Sequence, residues 1–307
     1  MDKMVVETRR AVEWPTLVLL VVCYGFWALA IFWLSALWLP LGIAVAALSI
    51  AQHSSLTHEA LHGHPFRNPL LNEALVFPSL SVCVPFRRFR DLHLAHHVDS
   101  VLTDPYDDPE TNYLDPHVWH RLPRILQRVL LLNNTLAGRM VFGPALGQYA
   151  MMETDWRLIQ NGDRDVALAW GLNFVGLVPV LTLVALSPMP IWAYLIAAYL
   201  GFSIVKIRTF LEHQAHERAS GRTVVIEDRG PLALIFLNNN LHAVHHMHPS
   251  VAWYKLPGLF RRNREKYLGR NGHYYYASYR DIFAKHFLRA KDPVPHPIYD
   301  RVREPAE

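Results

Sequence analysis

Eight of the chain's 18 histidines fall into three short patterns: His58 and His62 in HEALH, His93, His96 and His97 in HLAHH, and His242, His245 and His246 in HAVHH. At this histidine frequency one HxxHH arises by chance roughly 0.06 times per chain, so two copies beside an HxxxH are a signal. Residues three and four apart share one helix face, so each pattern presents its imidazoles to a common point, as a bidentate or tridentate prong. Eight imidazoles exceed what a single catalytic zinc uses, since such a site takes three protein ligands and keeps a position open. Two metals are implied. Imidazole suits zinc, copper, iron and nickel alike, so ligand type does not choose the metal.

The elements that position these residues are read from hydropathy. Of the 307 residues, 51% are hydrophobic, and the mean hydropathy is +0.09. The apolar residues gather in four stretches, residues 15–34, 36–56, 166–187 and 189–207, each near the ~20 residues a bilayer requires. The fold class expected is all-α integral membrane, with about four transmembrane helices and a helical cap, since a chain in hydrocarbon must satisfy its backbone internally and no barrel-type alternation occurs. The first stretch follows Lys3, Arg9 and Arg10 but is long for a signal-peptide core, so it reads as a span.

Three Lys and Arg precede the first stretch, ten lie from Arg67 to Arg164, seventeen lie from Lys206 onward, and neither short connection near Ser35 or Ser187 carries one. The positive-inside rule then puts both termini and the cap in the cytoplasm. The net charge of +4 is accounted for by basic residues facing lipid headgroups, so nucleic acid is not an expected partner. Two cysteines, Cys23 and Cys83, make no disulfide framework and no thiolate metal motif. The apolar runs 70–86 and 129–152 are too broken to span and read as interfacial helices, while TDPYDDPETNY, from Thr103 to Tyr113, reads as an acidic loop without chemistry of its own.

HEALHGHP, RDLHLAHH and NNNLHAVHHMHPSVAWYKLP resemble the three histidine boxes of the membrane fatty acid desaturase and hydroxylase superfamily, and the four-span layout agrees. The resemblance is strongest over residues 46–260, within what reads as a single membrane domain of 1–307. It implies two non-haem irons, dioxygen as co-substrate, and His58, His62, His93, His96, His97, His242, His245 and His246 as metal ligands. A ninth ligand usually follows the last span; in FLEHQAHE that position is His213, with His216 one turn on. The resemblance further implies a lipid or acyl-chain substrate, desaturated in the acyl-lipid manner, given three residues between the histidines of the first box. No HPGG haem motif occurs, so electrons would come from a separate donor, ferredoxin or a similar redox protein. Lipid hydroxylases and carotenoid ketolases carry similar boxes.

Glu59, Glu212, Asp99 and Asp104 are the acids near enough in sequence to orient ligand rings, although Glu59 and Asp104 read more readily as solvated acids. Asn238 could orient a ring or, with Asn239 and Asn240, form a turn or cap. His64, His117, His120, His248, His273, His286 and His296 read as surface or turn residues, and His53 as a polar lining residue. Two rival readings use fewer of these residues. HEALH fits HExxH, the zinc-protease signature with Glu59 as general base, but leaves both HxxHH boxes unused. A metal transporter needs polar residues within its spans, and these spans offer little beyond Asn173, Gln52 and His53.

Overall fold

The computed structural model describes residues 12–299; Lys3, Arg9 and Arg10 lie outside the described residues. Four of the described helices are long and apolar enough to cross a membrane: Trp14–Leu37, Leu39–Leu61, Arg164–Ala185 and Ile191–Thr209. All four expected spans are thus present. Their ends differ from the hydropathy pattern where the backbone outlasts it. The second helix runs to Leu61, five residues past the apolar stretch, because helix hydrogen bonds continue regardless of side-chain polarity. The first contains a π-helical turn, Ala30–Leu34, and the Ser35 hydroxyl donates to the Ala30 carbonyl there (2.7 Å).

Small residues let the spans approach. At Gly201 in the fourth helix a Cβ would lie 2.8 Å from Ile50 and 3.0 Å from the Ala47 carbonyl of the second, the close backbone approach by which membrane helices gain packing without a hydrophobic drive. Trp27, Ile31, Ala46, Ile50, Val180 and Tyr194 join all four spans in one buried cluster. Leu80 enters that cluster from the loop after the second span, and its carbonyl accepts from the Tyr194 hydroxyl (2.7 Å). Asn173 acts as a clamp in the third span: its amide donates to the Val82 carbonyl at 3.0 Å.

Between the second and third spans the chain forms helices Pro69–Val76, Phe86–His96, Pro116–Arg121, Arg124–Asn133 and Leu136–Gln160. The run 129–152 is therefore divided: one helix stops at Asn133, and the next is capped by Thr135, whose hydroxyl accepts from the Gly138 amide. Pro144 sits inside that 25-residue helix and removes one backbone donor. The Tyr199 hydroxyl of the fourth span donates to the Val141 carbonyl beside it. After the fourth span the chain builds the rest of the cap around a two-stranded parallel pair, Val225–Ile226 with Tyr275–Tyr276. This pair holds the third histidine pattern in place: the Ala243 amide donates to the Val224 carbonyl and the Ile226 amide to the Asn240 carbonyl.

Candidate metal centre

Each histidine pattern sits on or at the end of a helix. His58 is in the last turn of the second span and His62 caps it. His93 and His96 end the helix Phe86–His96, with His97 as its C-cap. His242, His245 and His246 lie in the helix His242–Met247. His213 follows the fourth span but is not carried on its helix, which stops at Thr209; His213 lies beyond it, bridged to Thr223. All nine rings converge, in two groups whose ligand nitrogens lie within 4.8 Å of one another: His58, His62, His93, His97 and His245, and separately His96, His213, His242 and His246. His216 joins neither group; its Nδ1 accepts from the Arg218 amide (3.0 Å).

The common point expected for each HxxHH pattern is in fact two points. His93 and His97 face one group and His96 the other, whereas His242 and His246 face the second group and His245 the first. At about 100° of turn per residue, positions i and i+4 diverge by about 40°, but i+3 and i+4 by about 100°. A single turn of helix therefore supplies both groups. They are adjacent: His97 stacks on His246 with ring centroids 4.2 Å apart.

The outer nitrogens are held by acceptors. His93 Nδ1 donates to Glu110 (3.0 Å), His96 Nδ1 to Asp108 (2.7 Å), and His242 Nδ1 to Asn239 Oδ1 (3.0 Å). Glu212 lies 3.7 Å from His242 Nδ1, and Asp99 lies 3.6 Å from His246 Nδ1. Of the acids expected near the rings, Glu212 and Asp99 are there. Asp104 instead caps its own loop, accepting from the Tyr106 and Asp107 amides, and Glu59 is buried with one oxygen on the Trp253 amide (3.3 Å). Asn238 takes a left-handed turn conformation (φ +55°) and donates to the Trp253 carbonyl, so its neighbour Asn239 is the ring-holding residue. Asp108 and Glu110 come from the acidic loop read as chemically silent, and no spacing in TDPYDDPETNY sets them apart from its other acids. Two isolated histidines are also not at the surface: His64 and His296 are buried, the latter against the Tyr113 ring.

With Nδ1 of His93, His96 and His242 donating outward, the inward Nε2 atoms carry lone pairs. Yet Nε2 of His213 lies 2.8 Å from Nε2 of His96 and 3.1 Å from that of His242, and Nε2 of His97 lies 2.9 Å from His93 and 3.2 Å from His245. One N–H cannot serve two such neighbours. A cation held by both rings would resolve this, since metal–imidazole bonds of about 2.0–2.1 Å draw nitrogens of neighbouring ligands close together. Among the described residues, buried nitrogens of His58, His97, His213 and His246 have no hydrogen-bond partner. The donor set therefore fits bound metal. Burial, then the neighbouring rings, hold His213, His242 and His245 well below the usual imidazole range, which keeps their lone pairs free. For His96 burial acts downward, but Glu110 and Asp108 outweigh it and raise it to about 9, so that a metal on its Nε2 takes the place of a proton. The same negative potential favours a cation on its Nε2.

Asp108 accepts from three directions, taking the Thr103 and Glu110 amides as well as His96. Asp108→Asn is expected to weaken metal binding at the four-histidine group by about 10–100-fold, read by competition with a chromogenic chelator; unchanged affinity would remove Asp108 from the site.

No curated protein matches the chain in a direct sequence comparison. The family model for fatty acid desaturases matches residues 36–279. That span covers most of the chain, three of the four membrane helices in full, and all nine converging histidines, so the chain is a membrane-embedded member of the fatty acid desaturase family.

Proposed function

We propose that this protein is a di-iron, dioxygen-dependent desaturase of acyl chains. Its 307 residues would form one membrane domain, with both termini and the histidine-bearing cap in the cytoplasm. The observation that carries the reading is the double convergence of nine imidazoles with facing lone pairs. His58, His62, His93, His97 and His245 would hold one iron, and His96, His213, His242 and His246 the other. Such a pair, when bound, activates dioxygen and removes hydrogen from unactivated carbons. The protein's own part is to hold the rings in one tautomer through Asp108, Glu110 and Asn239, and to keep the acyl chain aligned.

A cavity of about 670 Å³ supports an acyl substrate. It runs from Leu172 and Phe202 in the spans to Phe89 and Leu92 on the second-box helix and to His213, a size within the usual range for small-molecule sites. Glu59 is held by the Trp253 amide, and His58 and His62 share their group with His93, His97 and His245, an arrangement that the zinc-protease reading does not use. Electrons would come from a separate small redox protein such as ferredoxin.

The test is elemental analysis of gently extracted protein with a lipid profile of expressing cells against cells carrying an empty vector. About two irons per chain and new double bonds are expected. New oxygenated lipids would move the reading to hydroxylation or ketolation, and a single zinc with an unchanged profile would overturn it.

A further inference from the structure

The charged side chains around the cavity are almost all matched. Arg87 pairs with Glu73 at 2.7 Å, and Arg208 with Glu212 at 3.0 Å. Glu110 and Asp108 hold their histidines, and Lys291 donates to the His213 carbonyl at 2.6 Å beside Asp292. Lys206 is different. It lines the cavity from the last turn of the fourth span, and among the described residues no carboxylate lies within 4.0 Å of its ammonium and no acceptor takes its hydrogens. Glu110 and Glu212 attract it only from farther away, and the buried Arg139 repels it.

A lysine at the end of a membrane helix ordinarily complements the helix dipole and reaches outward to headgroups. This one reaches inward instead. Its ammonium lies against the neighbouring helix at Gly147, where an added Cβ would stand 3.4 Å from it, and Pro144 and Gln148 of the same helix line the cavity there. The ammonium thus belongs to the same cavity that Leu172 and Phe202 line with apolar side chains and that His213 reaches from the metal centre. Lys206 is half-buried, so a ligand entering the cavity there meets a cation that no protein carboxylate neutralises, and an oxyanion is the group that matches it.

We propose that Lys206 binds an oxyanion attached to the acyl chain that fills the cavity, so that the substrate is an anionic lipid, either a free fatty acid carboxylate or a phospholipid phosphate. The inference rests on the cavity being the acyl site of the proposed desaturase, but its test needs no turnover.

Full-length metal-loaded protein in a non-ionic detergent is titrated with tritiated palmitate, competed by methyl palmitate, dipalmitoyl phosphatidylglycerol or unlabelled palmitate, with metal content measured in parallel. A charged chain is expected to bind at least about tenfold more tightly than the methyl ester, the effect of one charge-assisted hydrogen bond. Lys206→Met should abolish that preference and Lys206→Arg should keep it, both with wild-type metal content. Binding of palmitate itself assigns the carboxylate; strong competition by phosphatidylglycerol where palmitate binds no better than its ester assigns the phosphate. Methyl palmitate competing as well as both palmitate and phosphatidylglycerol in the wild type overturns the proposal, as does a preference for either anionic lipid that survives in Lys206→Met. Loss of metal in the wild type would instead count against the di-iron reading.

Discussion

Replacing His245 with alanine is expected to abolish turnover and to lower the metal content of the protein, whereas His216→Ala leaves both unchanged. His245 is buried, and it is the one residue that the third histidine pattern gives to the five-ring group. Its Nε2 is 3.2 Å from that of His97, so its loss opens the shell between the patterns that meet there. Residues that only orient a ligand ring cost about 10–100-fold when removed, and a ligand itself should cost more. His216 is the sequence alternative to His213 as ninth ligand, but its ring packs on Gly221 and takes the Arg218 amide. The pair of variants therefore separates site from surroundings. Elemental analysis and turnover on membranes with matched protein levels give the answer, and retained turnover in His245→Ala would reject the shared metal site.

The spans and the eight histidines of the three patterns were legible because each depends on local rules, whereas His213 was reached only through the family resemblance. A run of apolar residues is enough to call for a membrane helix, and the chemistry of imidazole is enough to mark a metal site. The splitting of the boxes was available in the same arithmetic, since 100° between His96 and His97 cannot aim both at one ion. What the sequence hid is tertiary. Asp108 and Glu110 reach the rings through a loop of irregular backbone, in which Asp104 looks as suitable as either until the turn that places it elsewhere is seen. His213 lies in an extended segment pinned by Thr223, a pairing across a loop that no periodicity announces. Lys206 reads in sequence as a cytoplasmic positive charge at a span end; only its packing against Gly147 turns it toward the cavity.

Asp155→Ala is expected to destabilise the fold by about 3–5 kcal/mol, the usual result of stranding a buried charge. Asp155 lies in the helix Leu136–Gln160 and is almost wholly buried. Its two oxygens accept from Arg88 Nε at 3.0 and 3.1 Å, one of them also from Arg88 Nη2 at 2.7 Å, and the other from Trp170 Nε1 at 2.9 Å. One carboxylate thus ties the helix that ends in His93 and His96 to the third span. Removing it leaves the Arg88 guanidinium buried without its counter-charge and the indole N–H without an acceptor. Asp155→Asn keeps the indole acceptor and should fall between the two. The double variant Arg88→Met, Asp155→Leu should recover much of the loss, because no charge is then left uncompensated, and the cycle of single and double changes gives the coupling directly. Thermal unfolding of the detergent-extracted protein reads each of these variants, with Arg88→Met and Asp155→Leu made singly to close the cycle. A loss no greater than the ~0–1 kcal/mol of an exposed ion pair would mean that water reaches Arg88. A large loss accompanied by loss of metal would mean that the second histidine pattern owes its aim to this carboxylate.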